Sequence, residues 1–180
     1  QEYNYELKIP KERIGVLIGT KGKVKKDIEE QTKTKLRIDS KEGDITITGI
    51  DPLGLYAARE IIKAIGRGFN PDIAKLLLNE DYVLEIVDLQ QHAGKSQSFA
   101  LRLKGRVIGT EGKSRRTIED LSGAYISVYG KTIGIIGNSE NLALARKAVE
   151  TLLQGSPHSN VYRWLEKMRR HTHLGSSEAL

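Results

Sequence analysis

The residues of this chain best suited to chemistry come in two matching sets. Gly19-Thr20-Lys21-Gly22 is followed by Lys23, Lys25 and Lys26. Gly109-Thr110-Glu111-Gly112 is followed by Lys113, Arg115 and Arg116. Two glycines around two polar residues form a turn whose backbone angles side chains resist, and without Cβ atoms it lets another backbone come close. A helix starting there points its first amides outward, where they favour anions. Ammonium and guanidinium groups in the next turn steer a phosphate chain inward. The chemistry expected is therefore non-covalent, a clamp for a phosphodiester backbone. One such tetrapeptide alone reads as an ordinary turn; Gly134-Ile135-Ile136-Gly137, inside a strand-like run, is of that kind. Recurrence at corresponding places in two similar halves argues for a function.

Other phosphate and catalytic chemistries fail on spacing. Gly112-Lys113-Ser114 resembles the end of a nucleotide-binding P-loop, which needs a glycine five residues before its last one. That position is Val107; it is Leu17 before Gly22 and Leu89 before Gly94. The four histidines lie outside the duplicated segments. His158, His171 and His173 have no acidic or thiol neighbour at a metal-binding spacing. No carboxylates cluster as a magnesium-dependent nuclease requires. The expectation is a protein with no catalytic residue, no metal and no cofactor, hence not an enzyme.

The elements that must position the loops follow from periodicity. Tyr3, Tyr5, Leu7 and Ile9 alternate as a strand. Ile14, Leu17 and Ile18 fall at helical spacing before the first loop, and a second helix runs from Lys23 to Thr34 with Val24 and Ile28 inward. Leu36 and Ile38, then Ile45, Ile47 and Ile50, read as paired strands. Asp51-Pro52 opens a long helix that Gly66-Arg67-Gly68 stops. After a connecting helix from Pro71 to Asn79 the order repeats. Tyr82 to Leu89 is a strand, Gln90 to Gln97 a polar loop, and Phe99, Leu101, Leu103 and Val107 belong to the helix entering the second loop. Lys113 to Leu121 is a helix, Ala124 to Ile136 a hairpin across Gly130-Lys131, and Asn141 to Leu153 the long third helix. The halves align without gaps from Gly15 against Gly105 through Ile38 against Val128. The fold class is α+β, two tandem β-α-α-β-β-α units, each a three-stranded sheet packed by three helices. Expected boundaries are 1–68, a linker helix at 69–80, 81–155, a basic C-terminal helix at 156–174 and a tail at 175–180. Tyr162, Trp164 and Leu165 read as packing that helix down.

The 180 residues carry 29 Lys+Arg against 23 Asp+Glu, a net charge of +6, which leans toward a polyanionic partner. The absence of cysteine excludes disulfides, thiolate metal sites and a cysteine nucleophile. No apolar run nears the ~20 residues that span a bilayer, and no signal-peptide segment opens the chain. Cytoplasmic localisation and a monomer are expected.

The order β-α-α-β-β-α with GxxG between the first two helices resembles KH domains of the eukaryotic type (type I), over nearly the whole chain to Gly155. That resemblance implies a loop clamping single-stranded RNA over about four nucleotides, with bases on an aliphatic groove. An aromatic content of 6% suits that mode. The stretch "LKGRVIGTEGKSRRTIEDLSGAYISVYGKTIGIIG" is similar to the second KH domain of the archaeal relatives of the "partner of Nob one" ribosome-assembly factor. The likeness implies a place near the 3′ end of small-subunit rRNA and cooperation with the endonuclease that trims it. A general KH-type mRNA-binding or decay-complex protein and a protein–protein scaffold are the competing readings.

The RNA-binding residues expected are Gly19, Thr20, Lys21, Gly22, Lys23, Lys25 and Lys26 in the first half. In the second they are Arg106, Gly109, Thr110, Glu111, Gly112, Lys113, Arg115 and Arg116. Arg106 follows Gly105 where Val16 follows Gly15, giving the second groove more polar reach. Glu111 at its tip opposes phosphate by about 1 kcal/mol when solvated. The competing reading of the basic residues is a solvated face paired with Glu29, Glu30, Glu119 or Asp120. Ile18 and Ile108 belong either to the core or to the groove floor.

Overall fold

A computed structural model describes residues 1–177, with side chains through Thr172. The chain divides into two compact units, 1–84 and 85–180.

The first unit opens with β1 (Tyr3–Lys8) and a 3-10 turn, Lys11–Arg13. Then come α1 (Ile14–Ile18), α2 (Lys23–Thr32), β2 (Thr34–Asp39), β3 (Asp44–Gly49) and α3 (Pro52–Gly66). The strand order is β1-β3-β2. Its register places Leu7 and Ile38 on either side of Ile45, and Tyr5 and Leu36 on either side of Ile47. Ile45 and Ile47 are thus sealed beneath the helices together with Leu17, Ile28, Ile61 and Ile65. Burying each such side chain stabilises by about 1.5–3 kcal/mol. Asp51 caps α3 by accepting from the Leu53 amide, and Pro52 supplies a first-turn residue with no amide to satisfy. Arg59 lies between the rings of Tyr5 and Tyr56, 4.9 and 5.3 Å from their centroids.

The connecting segment is broken into α4 (Pro71–Ala74) and a 3-10 turn, Lys75–Leu78, where one helix to Asn79 was expected. β4 (Tyr82–Asp88) then starts the second sheet. It is followed by α5 (Gln90–Ala93), α6 (Gln97–Ile108), α7 (Lys113–Ser122), β5 (Tyr125–Tyr129), β6 (Thr132–Asn138) and α8 (Ser139–Leu153). The order β4-β6-β5 repeats that of the first unit. Gly130, at φ 55°, makes the two-residue turn between β5 and β6. α9 (His158–Ser177) adds Val161 and Leu165 to the second core.

Several boundaries depart from expectation. α2 stops at Thr32, because Lys33 takes a left-handed conformation that caps the helix. Part of the polar loop 90–97 is the helical turn α5. Ile50 leaves the strand and is 72% exposed, while Leu101 in α6 is 68% exposed, so neither belongs to the core. Helix α9 continues through Ser177, and the remainder of the expected tail, 178–180, lies outside the described residues.

Both long third helices end on an arginine. Arg13 donates from Nε to the Ile65 carbonyl (2.8 Å) and from Nη2 to that of Phe69 (2.9 Å). Arg106 donates likewise to Leu152 (2.9 Å) and Ser156 (2.6 Å). Each guanidinium thus adds charged donors at a helix end, where the Ile65 and Leu152 carbonyls also accept the Gly68 and Gly155 amides at 3.1 Å. Removing either side chain strips two charge-assisted hydrogen bonds from part-buried carbonyls. Arg106→Ala and Arg13→Ala are each expected to destabilise their own unit by about 2–3 kcal/mol, measured as a shift in the denaturant midpoint at unchanged slope.

Candidate nucleic-acid interface

The two loops have the same backbone. Gly19 sits at φ 74°, ψ 175° and Gly109 at φ 73°, ψ 176°. Lys21 and Glu111 both take φ 55°, and Gly22 and Gly112 are left-handed at φ 73° and 76°. Each loop is closed by a 3.2 Å bond from the second glycine's amide to the first glycine's carbonyl. The first glycine is required twice over. Its angles lie in a region open essentially to glycine alone. A Cβ on Gly19 would stand 2.5 Å from Val24 Cγ2, and one on Gly109 would stand 2.6 Å from Ser114 Cβ.

The helices leaving the loops differ at their N-termini from the longer helices α3, α6 and α8. Asp51, Ser96 and Asn138 cap α3, α6 and α8 through side-chain oxygens. Helices α2 and α7 have Gly22 and Gly112 at that position and no side-chain cap. Their outward amides suit an external acceptor, such as a phosphate oxygen.

Thr20, Lys21, Lys23 and Lys26 are exposed around the first loop; Thr110, Glu111, Lys113 and Arg116 are exposed around the second. Arg116 folds back so that Nη1 would lie 3.1 Å from a Cβ on Gly112. Lys25 and Arg115 are half-buried on the flanks of α2 and α7 that face β2 and β5. Arg115 pairs with Glu119 at 2.7 Å. Arg106 lines a cavity beside its loop, but two of its guanidinium nitrogens are committed to the end of α8. Its expected extra reach over Val16 is reduced accordingly. Ile18 and Ile108 are half-buried, between the two roles weighed for them.

Two features were not read from the sequence. Glu29 Oε2 accepts the Leu36 amide at 3.0 Å, and Glu119 Oε2 accepts that of Ile126 at 2.9 Å. Each carboxylate, taken as surface charge, in fact ties the edge strand to the helix across the groove. Its recurrence ninety residues apart within the gap-free alignment was the available signal. Lys35 and Arg37, at alternating positions of β2, add cationic reach to a pocket that also includes Lys25 and Glu29. Among the described residues no cluster of acidic and histidine side chains could hold a metal, and no helix is long and apolar enough to cross a membrane.

Two β-α-α-β-β-α units with matching loops and uncapped following helices define a tandem KH-domain protein. Residues 4–64 match the KH domain, and 83–170 match the eukaryotic-type KH domain (KH-domain type I) in its form for the second such domain of PNO1. A KH domain-containing protein of Methanocaldococcus jannaschii is 53% identical over 91% of this chain and 73% of its own length. The pre-rRNA-processing protein PNO1 of Saccharomyces cerevisiae is 28% identical over 87% of this chain, which spans only 60% of the yeast protein. Dim2p of Pyrococcus horikoshii OT3, solved in complex with a/eIF2alpha and rRNA, is 48% identical with a TM-score of 0.88, over 94% of this chain and 96% of that one. A protein of unknown function from Aeropyrum pernix is 38% identical with a TM-score of 0.92, over 99% and 97% of the two chains. The chain belongs to the PNO1/Dim2 family of KH-domain proteins.

The second loop is solvent-exposed, and aspartate tolerates the left-handed region better than most residues. Thr110→Asp with Glu111→Asp is therefore expected to leave circular dichroism and melting near wild type. Two carboxylates would then face an incoming phosphate, and single-stranded RNA binding by that groove, followed by fluorescence anisotropy, should fall at least tenfold.

Proposed function

We propose that this chain is a non-enzymatic, single-stranded-RNA-binding factor of small-ribosomal-subunit assembly, holding rRNA near its 3′ end while that end matures. The observation carrying this reading is the pair of matching glycine loops at uncapped helix starts, in a chain of the PNO1/Dim2 family. Relatives named as pre-rRNA-processing proteins, and a 48% identical Dim2p crystallised with rRNA, support it. The residues proposed to grip the strand are the two tetrapeptides with Lys23, Lys25, Lys26, Lys113, Arg115 and Arg116; Arg106 shapes the second loop's surroundings. Under the same reading the protein is a cytoplasmic monomer with KH domains at 1–68 and 81–155, and it works beside the endonuclease that trims the rRNA. A second reading, a contact with another protein, is favoured by the exposed apolar residues Ile50, Leu53 and Tyr56 of the first unit. RNA-free pull-down against ribosomal co-sedimentation separates the two.

If phosphate contacts dominate, log affinity for single strands falls with log salt at a slope of about −0.7 per neutralised phosphate. Three or four contacts in a groove give roughly −2 to −3. Titration at several salt concentrations checks this, and a flat response would sink the clamp.

The two grooves should not contribute equally. Arginine meets phosphate with two parallel hydrogen bonds and stacks on bases, whereas lysine offers a point charge. The second unit has Arg115 and Arg116 where the first has Lys25 and Lys26, against the cost of Glu111. Placing two aspartates in the second loop of the full chain is therefore expected to weaken RNA binding more than the matching change at Thr20 and Lys21. The reverse order would make the first groove the principal site.

A further inference from the structure

The second unit holds a cavity of about 600 Å³ between α6, the 109–112 loop and the start of α9. It lies on the flank of α7 turned away from β5. At 100° per residue, Lys113 and Arg115 occupy opposite flanks of α7, with Ser114 facing inward between them. Arg115 and Glu119 take the flank toward β5, where Glu119 holds the Ile126 amide. Lys113 takes the cavity side, and Gly109 and Thr110 line the cavity as well. A strand lying over the loop therefore meets both flanks.

The cavity walls carry the groups a nucleotide uses. Arg102 lies with its guanidinium carbon 5.9 Å from the centroid of the exposed Phe99 ring. Lys113 brings an ammonium, and Tyr162 a half-buried ring set edge-on to His158 at 6.1 Å. His158 is itself held by a 2.8 Å bond between Nε2 and the Arg106 carbonyl. Ser114 also lines the cavity; it is 2% exposed, and its hydroxyl has no hydrogen-bond partner. A buried hydroxyl without a partner is costly, and here it points to an oxygen-bearing ligand. The corresponding place in the first unit is built differently. Val24 replaces Ser114, and the flank of α2 that carries Lys23 also carries Asp27, bonded to Lys75 at 3.2 Å.

We propose that this cavity is a second RNA subsite, taking a nucleotide that flanks the stretch clamped between α7 and β5. Its phosphate meets Arg102, Lys113 and Ser114, and its base meets Tyr162. The proposal rests on the reading of the chain as a single-stranded-RNA binder. It makes the footprint of the second unit longer than the about four nucleotides of one groove.

The test titrates the full chain with nested single-stranded fragments of the small-subunit rRNA 3′ tail. They start at about four nucleotides, the length one groove clamps, and are lengthened stepwise at either end. Wild-type affinity should rise about 5- to 10-fold once an extension reaches the cavity, as one stacked base gives. Arg102→Ala and Tyr162→Leu should erase that rise and leave the shortest fragment's affinity unchanged; leucine keeps apolar volume under α9. Ser114→Ala should diminish the rise while the melting temperature holds or increases. Equal weakening of every fragment by these variants would reduce their effect to long-range charge or packing and overturn the subsite. So would an affinity that binds the shortest fragment but gains nothing with length. If wild type binds no fragment, the RNA-binding reading itself fails.

Discussion

Gly19 and Gly109 hold backbone angles closed to other residues, at points where the next helix comes too near for a Cβ, and the rest of each half is arranged around that approach. Because the chain reverses so tightly, α1 with α2, and α6 with α7, form a narrow wedge. The sheet can then pack its isoleucines under one side of it while the other side keeps uncapped amides at the surface. Any side chain at these two positions would move the second helix and, with it, the carboxylate that holds the edge strand.

That carboxylate ties the helix to the edge strand. Glu29 and Glu119 each bridge from helix to the first buried apolar residue of the edge strand. A bond to the strand backbone does not depend on what the strand's side chains are, so the exposed residues of β2 and β5 remain open to variation. The first unit presents Lys35 and Arg37 there, and the second Tyr125, with Ser127 half-buried beyond it. The same frame thus offers two different surfaces to a bound strand.

Element order and the two loops were legible in the sequence because glycines and isoleucine periodicities carry them locally. Helix ends were less so. Lys33 caps α2 in a conformation usually given to glycine, as Gly123 does for α7, and a lysine gives no sign of it. The polar run 90–97 hid the turn α5, whose amides close onto Leu89, a residue buried by the second core. Arg106 was read by its place beside the loop. Its committed bonds depend on where α8 ends, forty-six residues later, and nothing nearby in the chain encodes that distance.

Arg13 and Arg106 occupy non-equivalent places in the two halves: Arg106 faces Val16 in the gap-free alignment, and Arg13, two residues before that alignment begins, stands ninety residues from Leu103. Yet each reaches the fourteenth residue of a fifteen-residue helix and the residue four beyond it. One position is a helical turn from the other, so a long, forked side chain covers the same target from either. What the halves share here is a demand for donors rather than an inherited residue. Comparing the copies column by column would score an arginine gained and another lost, where the bond itself never changed hands.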